Sequence, residues 1–174
     1  MVKRVLELEP DLVLSVSCTT RAPRLGEVDG REYHFMTRHE FDRLIEEDAF
    51  LEWADIYGHR SGTLWGPVLT ELEQGHDVVL EIDVQGARWV RYRKPDAVSI
   101  FLEPPSMEEL ARRLRARHTE SEPAIARRLE AAGEEMAARG SFDHIVVNDD
   151  VDRAAAEVAA IIAGESGGPD VPVR

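Results

Sequence analysis

The 174-residue chain has one cysteine, two lysines and no long apolar run. A single cysteine, Cys18, excludes a disulfide framework and a zinc centre built from cysteines. Without an apolar run of about 20 residues, a membrane-spanning segment is not expected. The sequence also carries no signal-peptide pattern. We therefore expect a soluble protein of the cytoplasm.

Positive charge is scarce as well. Lysine and arginine together number 21 against 34 aspartates and glutamates, which gives a net charge of -13. Such a surface repels nucleic-acid phosphates and anionic lipids, so we expect neither nucleic acid nor a membrane as partner. Small anionic ligands remain compatible, because a few local arginines are enough to bind them. The length fits one domain with small insertions, and the 43% hydrophobic content can build a core.

Apolar segments alternate with helical patterns along most of the chain. Residues 77–82 and 97–102 are rich in apolar side chains, as is typical of strands buried on both faces. The alternation predicts an α/β fold with a parallel sheet between layers of helices. Short strands and one helix interrupt it, which predicts a smaller lobe, residues 17–73, inserted in a core of residues 1–16 and 74–163.

Local signals refine this prediction. Residues 2–8 form a helical pattern with no capping residue at its start. Thr37 begins a predicted helix, and Glu40 completes a capping box. Residues 61–63, Ser-Gly-Thr, predict a turn, and the Gly, Ser, Pro and Asp of residues 164–174 predict a disordered tail.

A polar loop after the first strand carries two arginines three residues apart. Arg21 and Arg24 flank Pro23, which stiffens the loop. A planar guanidinium binds phosphate oxygens in pairs, and loops beyond strand ends are common ligand sites in α/β proteins. Tyr33 could add a phenolic hydrogen bond to the same phosphate. The residue chemistry is equally compatible with a solvated loop bearing two surface arginines.

Three carboxylates interrupt apolar strand patterns. Glu52 lies in one such segment, and Glu81 and Asp83 lie in another, where alternation predicts that they share a face. Buried carboxylates need partners. Guanine offers two adjacent N–H donors to one carboxylate, magnesium is a second natural partner, and an ion pair with an arginine is a third.

Arginines are concentrated in one helical part of the chain: Arg112, Arg113, Arg115, Arg117, Arg127 and Arg128. Arginines on a mobile helical lid can close on a transferring phosphoryl group. The same residues could form a solvated face paired with nearby glutamates. The six histidines lack the helical spacing of metal ligands, so we predict no metal site from them.

Together these segments resemble the guanylate kinase family, from Val2 to Ala163. The most specific match is Thr-Thr-Arg-Ala-Pro-Arg-Leu-Gly-Glu at 19–27, and further matches are Tyr-His-Phe at 33–35, Ile-Asp-Val-Gln-Gly at 82–86 and Val-Asn-Asp-Asp at 147–150. The resemblance implies a P-loop kinase-like parallel sheet flanked by helices, a small GMP-binding lobe and a helical lid at about 113–130. It further implies transfer of a phosphoryl group from ATP to GMP, with magnesium.

The resemblance also implies roles for individual residues. Four positions match those that hold the GMP phosphate: Ser17, Arg21, Arg24 and Tyr33. Five match the guanine-binding segments: Glu52, Gly62, Thr63, Glu81 and Asp83. Three match catalytic arginines around the ATP phosphates: Arg113, Arg117 and Arg128. Arg117 and Asn148 match the ATP-binding set, and Asn148 lies in the segment that approaches adenine.

The sequence departs from the family pattern at three points. Ser61 replaces a tyrosine that contacts phosphate, and Glu81 stands where aspartate is usual. The P-loop, Gly-x-x-x-x-Gly-Lys-Ser/Thr, is absent, and neither Lys3 nor Lys94 lies in a suitable context. We therefore expect that the chain begins late, by on the order of 20 residues including a strand and the P-loop. Little turnover is expected from it.

Two other functions stay open at this point. One is a non-catalytic guanylate-kinase-like module that binds GMP or a phosphorylated peptide. The other is a related kinase acting on a ribosyl phosphate, although Glu52, Thr63 and Asp83 favour a guanine base.

Overall fold

The structure, a computed structural model, describes residues 1–56, 58–116 and 121–165. Its helices are α1 Val2–Leu8, α2 Arg38–Glu46, α3 Trp65–Glu73, α4 Val84–Arg93, α5 Met107–Ala116, α6 Glu122–Ala137 and α7 Val151–Glu165, with a 3-10 turn at Arg139–Ser141. Its strands are β1 Val13–Leu14, β2 Cys18–Thr19, β3 His34–Phe35, β4 Phe50–Ile56, β5 His59–Leu64, β6 Val78–Val79, β7 Ile100–Glu103 and β8 His144–Val147. Among the described helices, none is long and apolar enough to cross a bilayer.

The chain divides into two compact units. One is Pro10–Ala97, and the other combines Met1–Glu9 with the described residues from Val98 onward. These units group the residues differently from the predicted core and lobe, whose boundaries stay a prediction. The predicted tail lies largely outside the described residues, since α7 continues to Glu165.

A four-stranded sheet dominates the Pro10–Ala97 unit. Its strand order is β3-β2-β5-β4, with β5 antiparallel to both of its neighbours. The predicted turn at residues 61–63 is wrong, because these residues lie in β5. Gly62 permits this packing: a Cβ there would lie 2.7 Å from the Glu52 carbonyl oxygen and 2.8 Å from the Trp53 Cβ.

Two apolar clusters cover this sheet's β4 edge. Phe41 of α2 stacks on Phe50 at 4.3 Å between ring centroids, beside the buried Cys18. Leu51 packs in a separate cluster with Val68 and Val90, from α3 and α4. Burying aromatic and aliphatic side chains in this way provides most of the driving force for folding such a unit. The unit also contains a short parallel pair, β1 with β6.

Two local predictions concern helix starts. The capping box is confirmed: the Glu40 amide donates to Thr37 Oγ1 at 3.2 Å, and the Thr37 amide donates to the Glu40 carboxylate at 2.7 Å. The prediction that Glu81 and Asp83 share a strand face is wrong. β6 ends at Val79, and Asp83 is the N-cap of α4, accepting from the Gly86 amide at 2.8 Å.

The second unit contains the parallel pair β7–β8 and helices α1, α5, α6 and α7. Helix α1 packs against α7, and Arg4 donates to Asp152 across this contact at 2.7 Å. Ala154 and Ala155 are fully buried on α7, and their small side chains allow close packing. No side chain caps the start of α1, as the sequence predicts.

Candidate functional site

A β-bulge sets the direction of the Glu52 side chain. The β4–β5 register pairs Phe50 with Leu64 and Glu52 with Thr63, so one extra residue is accommodated at Leu51. Bulges redirect side chains in this way. Phe50 and Trp53 therefore both flank Gly62 on one face, while Glu52 shares the other face with Thr63.

Glu52 and Thr63 form a buried polar pair. Glu52 is 4% exposed and Thr63 is fully buried, and the Thr63 hydroxyl donates to Glu52 Oε1 at 2.7 Å. Burial, opposed by the Thr63 hydrogen bond and assisted by the nearby charge of Asp83, raises the pKa of Glu52 to about 7. A carboxylate held in a poorly solvated site is suited to binding paired N–H donors.

Glu52 lines a cleft with about 370 Å³ of empty space, part of it open to solvent. We call this cleft the carboxylate pocket; its lining residues are Ser17, Tyr33, Glu52, Ile56, Ser61, Glu81, Ile82 and Asp83. Five of the nine residues predicted for GMP therefore line one cleft. Thr63 contacts it through Glu52, and Gly62 lies on the opposite face of β5.

Arg21 is held by a carboxylate and two aromatic rings. Its Nη1 and Nη2 donate to the two Glu27 carboxylate oxygens at 2.9 and 3.0 Å. Its guanidinium carbon lies 5.3 Å from the Tyr33 ring centroid and 5.7 Å from that of Phe35. The Glu27 hydrogen bond raises the pKa of Arg21, and the same bond lowers the pKa of Glu27. Arg24 is exposed, and its amide donates to Glu27 at 2.6 Å.

Ser61 and Arg60 lie on opposite faces of β5. The Ser61 hydroxyl donates to the Cys18 carbonyl at 3.2 Å and lines the pocket. Arg60 lies over the Trp53 ring, 5.5 Å from its centroid, and pairs with Asp42. Since Arg60 packs on the face away from the pocket, it does not replace a phosphate ligand lost at Ser61.

The second unit contains what we call the arginine region, formed by α5 and α6. Arg113 of α5 uses its whole guanidinium fork: Nε donates to Glu109 at 2.7 Å, Nη1 to the Asn148 carbonyl at 2.7 Å and Nη2 to the Asp149 carbonyl at 3.0 Å. Arg112 also pairs with Glu109, and the two arginines lower the pKa of Glu109 to about 2. The predicted catalytic Arg128 lies half-buried in α6, and Arg117 lies outside the described residues.

Asn148 follows β8, and its side-chain oxygen is buried without a hydrogen-bond donor among the described residues. Its amide donates to the Glu103 carbonyl at 2.7 Å, and its own carbonyl accepts from Arg113. The buried side-chain oxygen is Oδ1. A buried acceptor without a donor is costly, so this atom is suited to a ligand's N–H group.

Sequence reasoning missed three features of this geometry. They are the bulge at Leu51, the hydrogen bonds between Glu27 and Arg21, and the closeness of residue 86 to the Glu52 carboxylate, where a Cβ would lie 2.5 Å from Oε2. Glu27 belongs to the loop motif quoted above, so its spacing from Arg21 is a usable signal. The bulge has no comparable signal, because nothing in Phe-Leu-Glu-Trp distinguishes a bulged strand from a regular one.

Within residues 1–56, 58–116 and 121–165, no group of three acidic, histidine or cysteine side chains converges as a metal site would. Glu81 and Asp83 nevertheless supply two carboxylates at one cleft. Magnesium in kinase sites is usually bound by one or two carboxylates together with substrate phosphates. These donors fit that mode of binding.

Comparisons with known proteins identify the family of the chain. The family model described as guanylate kinase matches residues 1–165. A guanylate kinase of Caldanaerobacter subterraneus subsp. tengcongensis is 53% identical over 163 residues, which are 94% of this chain and 79% of that protein. One from Rubrobacter xylanophilus is 53% identical over 162 residues, 93% of this chain and 85% of that protein. The crystal structure of guanylate kinase from Anaplasma phagocytophilum has a TM-score of 0.81 at 33% identity, covering 95% of this chain and 81% of that one.

Proposed function

This chain belongs to the guanylate kinase family, the α/β phosphotransferases that act on ATP and GMP, and from that premise we propose roles for its residues. The observation that carries the proposal is the buried Glu52–Thr63 pair in the carboxylate pocket.

Glu52 reads the guanine base. Its carboxylate accepts the ring N1–H and the 2-amino group, while Thr63 holds one of its oxygens at 2.7 Å. Asp83 lies in the same pocket and contributes a second acceptor for the base, with Glu81 at the rim. An adenine base presents a different pattern at this edge and leaves the buried carboxylate unpaired, which costs binding free energy.

Arg21, Arg24, Tyr33 and Ser17 hold the GMP phosphate. Arg21 exchanges its bidentate contact with Glu27 for one with phosphate oxygens, since both partners present paired acceptors. The rings of Tyr33 and Phe35 keep the guanidinium oriented during the exchange.

The arginine region serves ATP. Arg113, Arg117 and Arg128 neutralise the charge that develops on the transferring γ-phosphoryl group, and the Asn148 Oδ1 accepts from the adenine amino group. A phosphate oxygen of GMP attacks the γ-phosphorus, ADP leaves, and GDP forms. No covalent intermediate is needed, because positioning and charge neutralisation carry the catalysis.

Magnesium acts as the cofactor of this transfer. When bound with ATP, it would supply positive charge that neutralises the phosphates. Glu81 is the carboxylate that this chain offers to it, since Asp83 is assigned to the base and caps α4.

The 174 residues contain no P-loop sequence, so we propose that they bind GMP but transfer phosphoryl groups slowly. Binding of GMP, IMP and AMP to the chain by isothermal titration calorimetry tests the first half. ADP formation from ATP and GMP, by this chain and by a version preceded by a strand and a P-loop, tests the second.

Guanine-selective binding by both forms, with turnover only in the extended one, is the expected result. Binding without turnover in either form would favour the non-catalytic alternative. A sugar phosphate that binds where GMP does not would favour a ribosyl phosphate kinase.

A further inference from the structure

Gly86 lies in the first turn of α4 with its backbone against the Glu52 carboxylate. A Cβ at this position would lie 2.5 Å from Glu52 Oε2, 3.1 Å from Glu52 Cδ and 3.3 Å from Ile82 Cβ. The Gly86 φ angle is not in the left-handed region, so the backbone conformation does not require glycine. Glycine is needed here because the Glu52 carboxylate leaves no room for a Cβ.

The Glu52 carboxylate is consequently bounded on two sides. Thr63 donates to Oε1 at 2.7 Å, and Oε2 lies 2.5 Å from the position that a Cβ of residue 86 would take. Gly86 is itself fixed, since its amide donates to Asp83 Oδ1 at 2.8 Å. Thr63 therefore holds one carboxylate oxygen, and the other occupies space that any side chain at residue 86 would need.

We propose that Gly86 is a positioning residue for guanine selectivity: by lacking a side chain, it lets the Glu52 carboxylate reach the position from which both guanine N–H groups are bound. This inference rests on the role proposed above for Glu52. A methyl group at residue 86 displaces the carboxylate, so that it keeps one N–H contact and loses the other.

GMP and IMP separate this role from a general structural one. They share the phosphate, the ribose and the N1–H group, and they differ in the 2-amino group. We expect Gly86→Ala to weaken GMP binding by about tenfold and IMP binding by less than about threefold, since one hydrogen bond to a charged acceptor is lost. The GMP-to-IMP preference, measured as a ratio of Kd values by titration calorimetry, should therefore fall.

Gly66→Ala is the matched control. Gly66 lies in the first turn of α3 in the same unit, and a Cβ there meets nothing within 4 Å. Both substitutions add one methyl group to the first turn of a helix, although Gly66 also precedes Pro67. Gly66→Ala should leave both Kd values unchanged.

A double variant covers the case in which Gly86→Ala does not fold. In Gly86→Ala/Glu52→Asp the shorter carboxylate withdraws from the added methyl group, so we expect thermal stability to return without the GMP preference. If the double variant fails to fold while Glu52→Asp alone folds, the methyl group collides elsewhere and the proposal is wrong.

Equal weakening of GMP and IMP by Gly86→Ala would likewise overturn the role of Gly86. Failure of the unsubstituted chain to bind GMP would instead overturn the proposed function.

Discussion

The carboxylate pocket and the arginine region hold their charged groups in opposite ways. In the pocket, Glu52 is 4% exposed and its contact is a buried threonine hydroxyl. In the arginine region, the Arg112 side chain is 72% exposed and pairs with Glu109 on the same helix. The buried group was desolvated when the protein folded, whereas the exposed pair is largely solvated and screened by salt.

This difference indicates which parts of the candidate site have their binding geometry before a ligand binds. The pocket is preorganised, so the proposed selectivity for guanine would be set by geometry fixed during folding. In the arginine region, Arg112 and Arg113 pair with Glu109 and Arg115 pairs with Glu122, so a bound phosphate would have to compete with these carboxylates.

Substituting the buried carboxylate should have the largest effect. Glu52→Gln keeps the shape but replaces one acceptor oxygen with an NH₂ donor, which opposes the guanine N–H groups. We expect GMP affinity to fall by about 100-fold in titration calorimetry. Glu81→Gln, at an exposed position, should change it far less. Equal losses in the two variants would remove the distinction between buried and exposed carboxylates.

Stability should depend on pH through the same group. The folded-state pKa of Glu52 is raised from 4.5 to about 7, so between these values the folded chain binds a proton that the unfolded chain has lost. Stability from this group is fully present below pH 4.5 and is lost as pH rises through about 7, by on the order of 2 kcal/mol. Urea unfolding from pH 5 to pH 8 measures the effect. Glu52→Gln should flatten that dependence, and an unchanged slope would contradict the assignment.

Substitution of Arg21, in the polar loop proposed to hold the GMP phosphate, should have an intermediate effect on GMP affinity. Arg21→Lys loses the bidentate fork and weakens the aromatic contacts, so GMP affinity should fall about tenfold. IMP should lose as much, because both nucleotides carry the same phosphate. A loss confined to GMP would place Arg21 at the base instead of the phosphate.

The smallest effect belongs to the arginine region. Arg112→Gln removes a solvated ion pair, and we expect the urea midpoint of unfolding to stay unchanged within error. Urea unfolding at low and high salt checks this expectation. A clear fall in the midpoint would show that the pair stabilises the fold and that the two regions are more alike than their exposures indicate.

The sequence predicts much of this molecule, because local signals and tertiary contacts agree. The Thr37–Glu40 capping box and the helix at 2–8 follow from residue type and spacing. The prediction was wrong where packing decides. Ser61, Gly62 and Thr63 have turn-forming character but lie in a strand, because Gly62 lets the aromatic residues of β4 approach.

In the candidate site, too, residue types could be predicted from the sequence, whereas their mutual geometry could not. The Thr-Thr-Arg-x-Pro-Arg motif marks Arg21, and the residue types mark Glu52 and Asp83. That Glu52 meets Thr63 depends on a bulge at Leu51, and that Asp83 caps α4 depends on where β6 ends. Both depend on contacts between distant residues, which a linear pattern does not encode.

The single cysteine can report when the four-stranded sheet opens, because it lies in β2 of that sheet. Cys18 is fully buried beside Phe41 and Phe50, and burial raises the pKa of its thiol to about 11. A thiol in that state reacts with an aromatic disulfide reagent only when β2 separates from its neighbours. The labelling rate of the unmodified chain therefore measures how often this sheet opens, and its slowing by GMP would measure how far the nucleotide holds it closed.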